Sequence, residues 1–219
     1  MALKNNWIYL LLLVSVLSAV GALITGNFIF KSGTAGMGIL ILLLLFFTKE
    51  KPDRTSFWIM TAFLFSIAGD WFLSHMKGNA AMFTEGIALF FLAHVGYLMY
   101  ALRNGRIRWG FTGIVLAVFL VFYVLVLYPD IHDSVLVTAV LIYLLISCFS
   151  LGAAAGIRDK GLVKGAYVFG IFLILFSDTI ISLKEFVGYE SLNFLILPTY
   201  YLAHISITYA LIRKALAGR

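Results

Sequence analysis

The chain alternates between long apolar stretches and short charged breaks. Read between the charges, the stretches predict eight helices, over residues 7–25, 34–48, 57–74, 81–102, 109–128, 134–152, 162–183 and 192–212. A bilayer core takes about 20 apolar residues per helical crossing, and all but the second stretch come close to that length. The first stretch follows Lys4 and has the outline of a signal peptide. Its apolar run exceeds the roughly 7–15 residues of a signal core and no small-x-small cleavage site follows, so it is expected to stay as an anchor.

Composition removes the soluble alternative. The 219 residues are 63% apolar and 12% charged, with a mean hydropathy of +1.03, where soluble domains run at about 45–50% and about 25%. Eight crossings leave only short loops. The expectation is one all-α integral membrane domain over 1–219, a polytopic bundle of eight helices. The one cysteine, Cys148, has no partner for an internal disulfide.

The net charge of +6 acts on topology rather than on nucleic acid, because the basic residues are scattered in small groups between apolar runs. Thirteen of the 16 Lys and Arg fall on one side: Lys4; Lys49, Lys51 and Arg54; Arg103, Arg106 and Arg108; Arg158, Lys160 and Lys164; and Arg213, Lys214 and Arg219. Only Lys31, Lys77 and Lys184 fall on the other. The positive-inside rule then places both termini in the cytoplasm, in the inner membrane of a bacterium.

Two of the ten acidic residues, Asp70 and Asp178, lie inside predicted helices three and seven. A carboxylate at membrane depth costs at least about 2.5–3.5 kcal/mol, so it faces a protein interior or a water-filled cavity and is a functional candidate by default. Both sit at one depth, roughly 10 Å inside the outer boundary at 1.5 Å per residue. His94 and His204 are embedded in helices four and eight, somewhat deeper. Both aspartates begin Asp-x-x-x-Ser, both histidines follow alanine, and the Asp–His separations are 24 and 26 residues. This suggests related hairpins in two four-helix halves.

Around them stand Tyr200 and Tyr201, mid-helix and therefore outside the interfacial aromatic belts, and Tyr97 and Tyr100, nearer a helix end. Lys31 is expected just before helix two, on the sparsely charged side, either as a snorkelling residue or as a ligand. Gly69 and Gly86 read as close-packing positions. There is no P-loop, Gly-x-Ser-x-Gly, Cys-x-x-Cys or His-Glu-x-x-His. Asp70, Asp178, His94 and His204 add up to four zinc ligands in number. Neither hairpin has the i, i+3 or i, i+4 pair that commonly anchors such a site, so no metal and no cofactor are expected.

The stretch from Phe65 to Asp70, with Glu85-Gly86-Ile87-Ala88-Leu89-Phe90-Phe91-Leu92-Ala93-His94-Val95-Gly96-Tyr97, resembles the first signature of the YhhN or lysoplasmalogenase family. Phe176-Ser177-Asp178 and Pro198-Thr199-Tyr200-Tyr201-Leu202-Ala203-His204 resemble its second. The resemblance implies an ether hydrolase that cleaves the alkenyl (vinyl) ether of lysoplasmalogens to a fatty aldehyde and glycerophospho-ethanolamine or -choline. It implies Asp70 and Asp178 as catalytic groups, with His94, His204, Tyr97, Tyr200, Tyr201, Ser177 and Lys31 around a lysophospholipid that enters from the bilayer. The chemistry suits the residues. Protonation of a vinyl ether at carbon needs one acid, and the resulting cation and its water need one carboxylate. Two nearby carboxyls in a low-dielectric site tend to share one proton. Two other classes fit the same four residues: a proton-coupled transporter of small solutes and a metal-dependent membrane hydrolase of the alkaline-ceramidase type.

Overall fold

The computed structural model describes residues 7–48, 52–159 and 161–217. Lys4, Lys49, Lys51, Lys160 and Arg219 of the charge pattern lie outside the described residues. Within them run eight helices: α1 (Trp7–Thr25), α2 (Phe28–Thr48), α3 (Ser56–His75), α4 (Ala80–Asn104), α5 (Trp109–Phe122), α6 (Ser134–Ala154), α7 (Gly161–Val187) and α8 (Asn193–Ala217). Each predicted span has its helix, and all eight are long and apolar enough to cross a membrane once the turns that continue α5 to Asp130 are included. The chain is a multi-pass membrane protein.

Two boundaries differ from the sequence reading. Helix α2 begins at Phe28 instead of residue 34, so Lys31 lies in its first turn and not before it. The cause is a tight link. Gly26 takes φ +64°, a left-handed conformation open to glycine at no steric cost, and the Asn27 side chain accepts from the Ile29 amide at 2.8 Å. Helix α5 is regular only to Phe122, then widens into a π turn over Tyr123–Leu127 and a 3-10 turn over Tyr128–Asp130. Pro129 has no amide hydrogen to extend the α ladder. Further on, Asn79 and Asp133 start α4 and α6 by accepting from the amides two and three residues ahead, which satisfies donors a helix start leaves open.

The hairpins α3–α4 and α7–α8 make the most extensive contacts in the bundle. Between α3 and α4 the packing is close because glycine removes a side chain at two reciprocal places. A Cβ on Gly69 would lie 2.9 Å from the Phe90 ring, and one on Gly86 would lie 3.0 Å from Leu73. Beyond its own hairpin, α4 packs against α6 and α8 against α2, contacts that a repeat of four helices exchanges for one another. Helix α8 is the most enclosed, and α5 and α1 turn most of their surface outward.

The described basic loops gather at one end. The segment after α4 pairs with the segment after α6 through Arg106 N–H to the Gly156 carbonyl (3.3 Å) and Arg158 N–H to the Asn104 carbonyl (3.0 Å). Lys214, near the end of α8, closes this end. Its ammonium lies 3.1 Å from Asp53 and 3.6 Å from Asp159, donates to Asn104, and sits over the Tyr100 ring. Helices α3 and α7 therefore run from this basic end, and Asp70 and Asp178 lie in their far halves.

Candidate active site

Asp70 is the fifteenth residue of α3, and Asp178 lies well along α7. Both face one cavity of about 170 Å³, which opens at the end of the bundle opposite the basic loops. Ser177, Tyr200 and Tyr201 share its wall, and Lys31, Ser74, Lys184 and Glu185 stand towards its mouth. Leu73, Phe83, Phe90, Ile181, Ile196 and Leu197 make the rest apolar. A part-buried carboxyl group in such surroundings needs hydrogen-bond partners. Asp70 has one in the Tyr200 hydroxyl at 3.1 Å. On Asp178, Oδ2 accepts from the Tyr143 hydroxyl at 2.6 Å and meets His94 Nε2 at 3.3 Å.

The two histidines hold opposite tautomers, by the logic of their networks. His94 Nδ1 is buried without a partner among the described residues. A buried lone pair left unmatched is tolerated better than a buried N–H, so the proton sits on Nε2 and is donated to Asp178. In His204, Nδ1 lies 3.0 Å from the Tyr200 carbonyl, which can only accept. Its proton is therefore on Nδ1, and Nε2 accepts from the Tyr97 hydroxyl at 3.5 Å. Ser66 then donates to the Tyr97 oxygen at 3.3 Å.

The sequence-predicted residues thus divide into two layers. Asp70, Asp178, Tyr200, Tyr201, Ser177 and Lys31 meet at the cavity. His94 touches Asp178, while Tyr97 and His204 pair with each other outside the cavity lining, the His204 ring packing edge-on against the Tyr200 ring with centroids 4.4 Å apart. The Ser177 hydroxyl is occupied, donating at 3.1 Å to the Ile196 carbonyl and tying α7 to α8. The Tyr201 hydroxyl, by contrast, is buried without a partner among the described residues, an arrangement that costs about 1–3 kcal/mol unless another molecule supplies the bond. Lys31 donates to Ser74 at 3.3 Å.

Sequence reasoning missed Tyr143. It lies mid-way along α6, clear of both interfaces, and the test that singled out Tyr200 and Tyr201 applies to it equally. The four candidate zinc ligands do not converge, because His204 commits both nitrogens elsewhere. Among the described residues no three His, Cys, Asp or Glu side chains are grouped to hold a metal ion. The arrangement can do carboxylate acid–base chemistry on a small polar group whose apolar remainder extends away.

No curated protein and no solved structure matches the chain. The model of the YhhN family matches residues 30–211, a span that carries the cavity, both aspartates and every side chain that touches them, and the chain belongs to the YhhN family.

Proposed function

We propose that this protein hydrolyses the alkenyl ether bond of lysoplasmalogens, giving a fatty aldehyde and glycerophosphoethanolamine or glycerophosphocholine, with Asp70 and Asp178 as an acid–base pair. The observation that carries the reading is that two carboxylates from different helices face one cavity, each held by a tyrosine hydroxyl. Family membership is compatible with it.

In this reading Asp178, which meets two donors on one oxygen, is the base, and Asp70, which meets one, brings the proton. Asp70 delivers that proton to the outer carbon of the C=C bond, and the π electrons form the new C–H bond. The cation left is spread over carbon and the ether oxygen, and the Asp178 carboxylate stabilises it. Water adds to the cationic carbon and gives a proton to Asp178. The hemiacetal then collapses: its hydroxyl proton returns to Asp70, and the Asp178 proton goes to the departing glycerol oxygen. Both groups end as they began, and one water is consumed. The Tyr201 hydroxyl, without a protein partner among the described residues, is given the task of holding the water or the free glycerol hydroxyl. The alkyl chain lies along the apolar wall.

The test is product analysis on purified protein in detergent with three matched lysolipids. Aldehyde is expected from the vinyl ether, none from the saturated ether, and little acid from the ester. Carbon protonation yields a stabilised cation only from the enol ether, and the ester needs a nucleophile or oxyanion hole. Equal cleavage of ester and vinyl ether would reject the reading. A transporter needs a sealed membrane and would produce no aldehyde in detergent.

A further inference from the structure

Above the aspartates the cavity carries charges of both signs at graded depths. In α3, Ser74 lies one helical turn beyond Asp70 towards the mouth, and Lys31 reaches it from the first turn of α2. In α7, Lys184 and Glu185 lie six and seven residues beyond Asp178 and also line the cavity. At about 1.5 Å per residue, Ser74 stands about 6 Å above Asp70, and Glu185 about 10.5 Å above Asp178. A glycerophospholipid headgroup has a matching spacing. From the ether oxygen, five bonds lead to phosphorus and nine to the amine nitrogen of an ethanolamine or choline head. Bonds of about 1.5 Å in an extended zigzag carry these about 6 Å and about 11 Å.

We infer that this cavity mouth reads a zwitterionic amino-phosphate headgroup, with Lys31 and Ser74 on the phosphate and Glu185 on the ammonium. The inference rests on the proposed site, since the ether oxygen must lie at the aspartates. Glu185 is engaged in the free protein by Lys184, at 2.6 Å, with side chains 37% (Lys184) and 22% (Glu185) exposed. That pair joins adjacent residues, whose directions on a helix diverge, and a partly exposed ion pair of this kind is weak. A zwitterion can insert into it without changing the net charge: the ammonium takes Glu185, and the phosphate held by Lys31 and Ser74 faces the released Lys184. A headgroup with phosphate alone leaves Glu185 facing an anion, which disfavours it. Glu185 is thus a specificity residue and has no part in the bond cleavage.

The decisive measurement is binding, not turnover, so it stands even if no aldehyde is ever formed. Saturated-ether lysolipids with a common chain and an ethanolamine, choline, glycerol or bare phosphate head are titrated against the purified protein, with thermal stabilisation as the readout. The two amine heads should bind roughly tenfold tighter than the two amine-free heads. In Glu185→Gln that ratio should fall towards one, and Glu185→Asp should keep part of it. Lys31→Met should weaken all four lipids and preserve the ratio, which separates loss of phosphate contact from loss of amine readout. Equal wild-type binding of all four heads would overturn the inference, as would a Glu185→Gln protein that keeps the tenfold preference. Failure of the aldehyde assay alone would count against the reaction and not against this headgroup site.

Discussion

The Tyr143 hydroxyl donates to Oδ2 of Asp178 at 2.6 Å, joining the middle of α6 to the carboxylate of α7. It is the shortest bond to either aspartate, and the same oxygen meets His94. Removing it leaves a part-buried carboxyl group with one donor fewer. Tyr143→Phe should lower kcat about 10- to 100-fold, since a hydrogen bond to a charged group is worth about 1.5–3 kcal/mol. An unchanged kcat would mean that Asp178 does not need this donor.

Tyr97 tests the division into layers. Its hydroxyl bonds to His204 and Ser66 and to neither aspartate. Tyr97→Phe should cost about 1 kcal/mol of stability and leave kcat within about fivefold, while Tyr200→Phe, which strips Asp70 of its donor, should cost far more activity. Equal losses of kcat in the two variants would show that Tyr97 belongs to the reacting layer after all.

Orientation can be checked directly. The segments around Arg106 and Arg158 lie side by side at one end of the bundle, and this is the end where the basic residues gather. Reporter fusions at Arg54, Arg106 and Arg158 should all report the cytoplasm, and fusions at Gly78 and Glu190 the opposite side. A mixed result within the first group would break the topology.

The basic end also makes a pH prediction. Burial alone would raise the Asp53 carboxyl, but the Thr55 hydroxyl and amide and the Lys214 ammonium outweigh it and hold the group below the usual carboxylate range. A depressed folded value stabilises the protein above the unfolded value of about 3.9, and the contribution fades as pH falls through the folded one. Asp53→Asn should therefore lower the melting temperature at neutral pH, with the difference from wild type shrinking below about pH 4. A difference independent of pH would remove the ion pair as its cause.

What the sequence made legible follows from which signals have no innocent explanation. A carboxylate inside an apolar run is expensive wherever it occurs, so Asp70 and Asp178 stood out, and their shared depth followed from counting residues. Charge also marked where helices stop. That rule misled at α2, where Lys31 interrupted the apolar run although the helix had begun at Phe28 behind the Gly26–Asn27 link. Tyr143 was passed over although it is mid-helix like Tyr200 and Tyr201, and only the fold shows which acceptor its hydroxyl has. The two tautomers, and the retreat of Tyr97 and His204 behind the cavity wall, depend on distances between helices far apart in the chain. Periodicity contains no such distances.

The central claim is that Asp70 and Asp178 act together on a vinyl ether, and one product assay tests it most directly. Aldehyde release from a lysoplasmalogen is measured for wild type, Asp70→Asn, Asp178→Asn and the double variant, each verified as folded in detergent. The expected result is that each single change lowers the rate by about 10²–10⁴-fold, with the double variant at nearly the same floor, because residues acting as a unit are not additive. Near-normal release from either single variant would contradict the account.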